Sequence, residues 1–182
     1  MNDTKGALRF LGIFLGLYFG LNIIYGLWIT SYGNRPDTMT NLITRQTSAI
    51  LQVLGEETSI NPSEDKPSVA ILKNGKKVIG VYEGCNSINV MIVFVAFVVA
   101  FKGSMKQLAW FVPVGLSIIY LANLIRVGLL YFVAEYWSHY FYYFHKYLFT
   151  ALIYLIVFIL WLWWMKLTHG ITVKSWLTQS KE

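Results

Sequence analysis

Long apolar runs constrain this chain more than any other feature. Leu8 to Ile29, Ile88 to Phe101, Leu108 to about Ala134, and Tyr147 to Met165 are each almost free of charge. A bilayer's hydrocarbon core is about 30 Å thick and takes about 20 helical residues to cross; helices and closed barrels alone satisfy their own backbone there. The first, third and fourth runs meet that length. The second, "INVMIVFVAFVVAF", meets it only if Cys85 to Asn89 join the helix. Composition agrees: 56% of the 182 residues are hydrophobic and 13% are charged, against about a quarter charged in a soluble domain. The expected fold class is therefore an all-α polytopic membrane protein of one domain, with about four transmembrane helices at 8–29, 85–101, 108–134 and 147–165. The first is read as a retained anchor, since a signal-peptide apolar core is only about 7 to 15 residues and no Ala-x-Ala-like site follows.

Lys and Arg in short flanks set the expected orientation. Lys5 and Arg9, then Lys102 and Lys106, then Lys166, Lys174 and Lys181 fall on one side of four spans, which is read as cytoplasmic. Both termini then lie inside, and 30–84 and the loop from Glu135 to Lys146 lie on the exported face. Segment 30–84 is also basic, but a segment that long translocates largely regardless of charge. Trp161, Trp163 and Trp164 are expected to form an interfacial belt. The formal charge of +6 comes with no basic-aromatic stripe or nucleic-acid motif, so the lipid bilayer, not nucleic acid, is the expected partner.

The exported insertion reads as a small amphipathic helix followed by a β-hairpin. In "NRPDTMTNLITRQTSAILQVLG", Met39, Leu42, Ile43, Ile50, Leu51 and Leu54 share one helical face, Pro36 suits the first turn and Gly55 the C-cap. "ETSINPSEDKPS" reads as a polar loop. Two β-rich runs then flank Asn74-Gly75, a strong signal for a type I′ hairpin turn.

The hairpin leads into "YEGCNSIN", which holds the chain's single cysteine. Cys85 is expected to open the second span from the exported face, with Asn86 or Ser87 capping the helix. A thiol there meets the positive end of the helix dipole, which favours thiolate; the alternative is a small residue filling a packing gap. Arg126 lies within "IIYLANLIRVGLLYF", where a cation is costly and marks a functional site by default. It is 18 residues beyond Leu108, roughly 27 Å along the helix, near the exported interface. Asn123 sits one turn earlier on the same face. His145 precedes the fourth span on that side, and His139, six residues away, is its rival. Cys85, Arg126 and His145 thus come from three spans at one membrane depth, and a thiol with a nearby imidazole is the pattern of an activated nucleophile. Zinc held by Cys85, His139, His145 and Glu83 is disfavoured because no ligand pair has a recognised spacing. No metal or cofactor is expected.

Three ordered motifs, "EGCNSIN", "ANLIRVGLL" and "FHKYLF", resemble the exosortase/archaeosortase family of integral membrane cysteine enzymes. The short length, "EGCN" and "HKYLF" are most similar to the compact exosortase F group of Bacteroidetes-type bacteria. The resemblance implies Cys85, Arg126 and His145 as catalytic residues. Glu83, Asn86 and Asn123 are candidates to support them. It implies a protease/transpeptidase of the bacterial inner membrane, with its active site on the exported face. Its substrate would be an exported protein whose C-terminal signal combines a short motif, a transmembrane helix and a basic tail. Many members carry a Cys-Ser-Gly-like motif and more spans; this chain has Cys85-Asn86-Ser87 and fewer spans. Less protein is then left for substrate docking, so an accessory membrane protein is a candidate partner. The competing class is a non-catalytic membrane scaffold or transporter subunit, for which Pro113 and Gly115 in the third span are the only sequence hint.

Overall fold

A computed structural model describes residues 2–101 and 103–169. Lys102, Lys174 and Lys181, used above for orientation, lie outside the described residues. The chain runs as α1 (Asn2–Thr30), α2 (Thr38–Val53), β1 (Thr58–Pro62), β2 (Ser68–Lys73), β3 (Lys76–Tyr82), α3 (Ile88–Ala100), α4 (Met105–Tyr136), the short turn α5 (Phe141–Tyr143) and α6 (Phe149–His169). It is mostly helical, as the apolar runs require. Three stretches are long and apolar enough to cross a membrane: Thr4–Thr30, Met105–Tyr136 and Ser138–Thr168.

The second expected span is shorter than 85–101. Glu83–Cys85 forms a 3-10 turn, and Ser87 takes a left-handed φ of 58°. The helix therefore starts at Ile88 and has 13 residues, about 20 Å of rise. This helix packs among α1, α4 and α6, its buried face made by Ile92, Phe94, Ala96, Val98 and Ala100. On its α1 side, Phe10 meets Phe97 and Phe101 edge-on at 5.6 and 6.1 Å. On its α4 side, Gly115 lets the Phe94 ring lie where a Cβ would stand. Pro113 sits within an unbroken α4; the Ser117 hydroxyl donates to its carbonyl at 2.8 Å.

The tryptophans near the end of α6 differ from a simple belt. Trp163 is exposed, but Trp164 is fully buried and its Nε1 donates to the Phe101 carbonyl at 3.0 Å. Trp161 stacks on Phe97 at 4.3 Å. These rings pack the bundle because α3 ends beside them and its last turn needs cover.

α4 begins with a capping box. The Ser104 hydroxyl accepts from the Gln107 N–H at 3.3 Å, and the Gln107 side chain accepts from the Ser104 N–H at 3.0 Å. Its 32 residues rise about 48 Å, more than a bilayer core needs. Its second half, from Tyr120 to Glu135, carries the 30–84 insertion.

Asp37 caps α2, its carboxylate accepting from the backbone of Met39 and Thr40, so Pro36 precedes the helix instead of entering its first turn. Gly55, just past the C-cap, has φ +92°. The buried face of α2 is Thr40, Ile43, Thr44, Thr47, Ser48 and Leu51. Leu42, Ile50 and Leu54, expected on that face, are exposed. The shift arises because α2 packs on a strand through polar contacts: the Ser48 and Thr58 hydroxyls lie 2.9 Å apart, and Gln52 donates to the Thr58 carbonyl at 2.7 Å. That strand, β1, was expected to be loop. The β-hairpin, β2 and β3, is instead part of a three-stranded antiparallel sheet in which β1 pairs with the free side of β2. Asn74 and Gly75 form its turn at φ 50° and 76°, as a type I′ turn demands.

Ile43 and Leu51 of α2, Ile71, Ile79 and Val81 of the sheet, and Leu124, Val127 and Tyr131 of α4 make one buried core, which also contains Cys85. The sheet is tied to the end of α4 by Lys73, which pairs with Glu56 at 2.8 Å and Glu135 at 3.3 Å. Tyr131 donates to Glu56 at 3.0 Å.

Candidate active site

β3 delivers the cysteine. Its strand alternation buries Ile79 and Val81, and the chain then tightens through Glu83–Cys85 before α3. Asn86 holds this turn from both directions. Its Oδ1 accepts from the Ile88 N–H at 3.0 Å, and its Nδ2 donates to the Tyr25 hydroxyl of α1 at 3.0 Å. Asn86 rather than Ser87 therefore serves the helix start; Ser87 makes no side-chain cap bond.

α4 holds the turn from the opposite side. Asn123, fully buried, donates to the Cys85 carbonyl at 2.8 Å and accepts from Arg126 Nη1 at 3.3 Å. The one-turn spacing of Asn123 and Arg126 makes this pair possible on a single face. Arg126 Nε is buried without a hydrogen-bond partner.

The imidazole arrives through an irregular connection. After α4, Ser138–Tyr140 is a 3-10 turn, and Phe144–Leu148 is a π turn leading into α6. A π turn widens the helix by one residue and is frequent at functional sites. Here it carries His145, whose carbonyl accepts from the Thr150 hydroxyl at 3.2 Å. Phe141 stacks on the imidazole at 5.7 Å and 11°.

Cys85 Sγ lies 3.4 Å from His145 Nε2, a hydrogen-bonding distance for sulfur. The Arg126 charge acts on Cys85 as well. Cys85, Arg126 and His145 therefore come together at the end of the bundle that carries the sheet. The expected thiolate at a helix dipole is modified. Cys85 precedes α3 by three residues and is buried. Burial pushes the thiol up; Arg126, then Tyr82, act against it without prevailing. The resting pair is thus a neutral thiol against an imidazole that can take its proton.

The other candidates separate. Asn86 and Asn123 touch the cysteine turn, as described. Glu83 is not brought to the sulfur: it is half-buried and lines a cleft with Tyr25, Gly26 and Asn89. His139 is exposed with its ring against Tyr140. The four residues weighed as zinc ligands are accordingly not gathered, and among the described residues no three His, Cys, Asp or Glu side chains converge.

Sequence reasoning missed Tyr25, Phe141, Thr150 and Tyr82. Tyr82 lies 6.3 Å ring to ring from His145. The available signal was strand parity: with Val81 inward, its neighbour must face the other way.

A helical membrane bundle with a buried thiol against an imidazole, and an arginine held beside them, defines a polytopic membrane protein built around a cysteine–histidine centre. The family model described as transmembrane exosortase matches residues 7–163, and the chain belongs to that family. No curated protein and no solved structure matches it.

Proposed function

We propose that this chain is a cysteine protease/transpeptidase that cleaves and transfers C-terminal sorting signals of exported proteins at the outer face of the bacterial inner membrane. The observation that carries this reading is the 3.4 Å Cys85 Sγ–His145 Nε2 contact in a member of the exosortase family. The thiol proton passes to His145 as sulfur attacks the scissile carbonyl, forming a tetrahedral oxyanion. Arg126 is suited to that charge, since its own charge acts on the sulfur and one of its N–H groups is unpaired. As the C–N bond breaks, His145 returns the proton to the departing amine and a thioester remains. Water or an acceptor amine then attacks the thioester; His145 takes the proton of that nucleophile and gives it back to sulfur as an acid or amide leaves. The substrate's apolar helix lies alongside the bundle, and its motif reaches the cysteine turn; an accessory membrane protein is a further partner. The motifs "EGCN" and "HKYLF" support the compact F group within the family.

The test follows a signal-bearing protein by gel shift in the native host. Cys85→Ser keeps nearly the same volume but is a far weaker nucleophile at neutral pH. It should insert normally while unprocessed precursor accumulates. Arg126→Lys should be severely impaired because a point charge lacks the planar fork. His145→Ala should be impaired and His139→Ala nearly neutral. Full processing by Cys85→Ser would refute the nucleophile and favour a non-catalytic membrane subunit.

A further inference from the structure

We propose that the cleft between α1 and the cysteine turn is a second substrate site, which holds the acceptor of the transfer step as a primary ammonium beside Glu83. This rests on reading Cys85 as a nucleophile that forms a thioester.

A cleft of about 310 Å³ opens on the α1 side of the turn, lined by Tyr25 and Gly26 of α1 and by Tyr82, Glu83, Gly84 and Asn89. Its position ties it to the centre. Gly84 directly precedes Cys85, and the Tyr82 ring stands 6.3 Å from the His145 ring. Its chemistry is one-sided. Glu83 supplies a carboxylate, and no lysine or arginine lines the cleft. Among the described residues that carboxylate makes no ion pair or hydrogen bond, and the Asn89 side chain makes no hydrogen bond. The Tyr25 oxygen, which accepts from Asn86 at 3.0 Å, keeps a second lone pair. The cation of the centre, Arg126, comes from α4 on the other side of the turn. Carboxylate, amide and phenol oxygens match the three donors of an ammonium, and the unpaired charge is one that a cation balances. A hydrolytic water needs no such charge. A Cβ on Gly26 would meet no atom within 4 Å, which leaves room for the stem that carries the amine.

In the transfer step the bound ammonium loses one proton to solvent and the amine nitrogen attacks the thioester carbonyl. A second proton of that nitrogen passes to His145 and from it to sulfur as the C–S bond breaks, leaving an amide and the free thiol.

Cys85 is the only cysteine, so thiol reagents on the full-length protein in detergent report on this sulfur alone. The probes are aminoethyl methanethiosulfonate, which carries a primary ammonium, and neutral methyl methanethiosulfonate. The ratio of their rates at pH 7 cancels any change in the thiol itself. Glu83→Gln should lower that ratio about fivefold, the weight of one unit charge at about 4 Å in water. Gly26→Leu should lower it as well, by filling the cleft with no change of charge. Glu64→Gln, which removes an equal charge from a separate cleft beside Arg35, should leave it in place. An unmoved ratio in Glu83→Gln overturns the ammonium site, even if Cys85→Ser abolishes processing. So does a ratio that falls equally in Glu64→Gln or stays high in Gly26→Leu, since either reports a diffuse surface field. The acceptor role is read with a signal-bearing protein and ethylamine, from the mass of the product. Glu83→Gln should lower the share ending in ethylamide rather than acid by a similar factor. An unchanged share, or a wild type that yields acid alone, overturns the acceptor role. A charge-selective cleft in a protein that cleaves no signal keeps the ammonium site and overturns the protease reading instead.

Discussion

Replacing Asn123 with alanine removes in one step the bond that ties α4 to the cysteine turn and the bond that holds Arg126. Asn123 is fully buried, and its stronger bond is the 2.8 Å donation to the Cys85 carbonyl. Without it that carbonyl is a buried acceptor with no donor, which costs about 1–3 kcal/mol. The 3.3 Å bond to Arg126 is longer and involves a half-exposed side chain, so it adds less. The expected loss is about 2 kcal/mol, borne mainly by the position of the sulfur relative to His145. At 1.36 kcal/mol per decade, processing should fall about thirtyfold if that loss is felt in the transition state. Asn123→Asp should do no better, because it sets an acceptor against the carbonyl. Two assays separate the loss from general unfolding: precursor processing, and alkylation of the single thiol at alkaline pH. Processing should fall, while alkaline alkylation is maintained or rises as the turn loosens. Unchanged processing in Asn123→Ala would refute the claim that α4 positions the sulfur through this side chain.

Two further perturbations test how the site is supported. Lys73, then Tyr131, hold the Glu56 carboxyl below its usual range, and Glu56 holds Lys73 above the ordinary lysine range. The Glu56 contribution is present above its unfolded pKa of about 4.3 and is lost as pH falls through its lower folded value; that of Lys73 is present below about 10.4 and is lost as pH rises through its higher folded value. Protection of β2 amides, corrected for intrinsic exchange, should therefore be flat from about pH 5 to 10 and weaken outside that window; a drop between pH 7 and 5 would contradict it. Gly115→Ala should lower thermal stability in detergent by about 1–3 kcal/mol, because its Cβ would overlap the buried Phe94 ring, and Phe94→Leu should partly restore it. No loss would show that the helices part without strain.

The helices, the Asn74-Gly75 turn and the order of Cys85, Arg126 and His145 were readable from the chain because each rests on a local signal. Apolar length reports bilayer-crossing segments, Asn-Gly reports positive φ, and an arginine in an apolar run stands out by its cost. Strand β1 was not readable: "TSINP" buries only Thr58 and is held by its backbone pairing to β2 and by hydroxyl and amide contacts to α2. The face of α2 was misread for the same reason, since Ser48 and Gln52 found partners on Thr58 across that contact. Phe101 and Gly103 bury Trp164, which periodicity along α6 does not encode. The state of the thiol was beyond the sequence altogether. A helix N-terminus argues for thiolate from local geometry, but burial at the junction of the sheet, α2 and α4 argues for the neutral form, and burial is the larger effect here. Residue types and local spacing determined which groups this protein has available; the packing of distant segments decided which of them share a sulfur, because contact and desolvation depend on partners far apart in the chain.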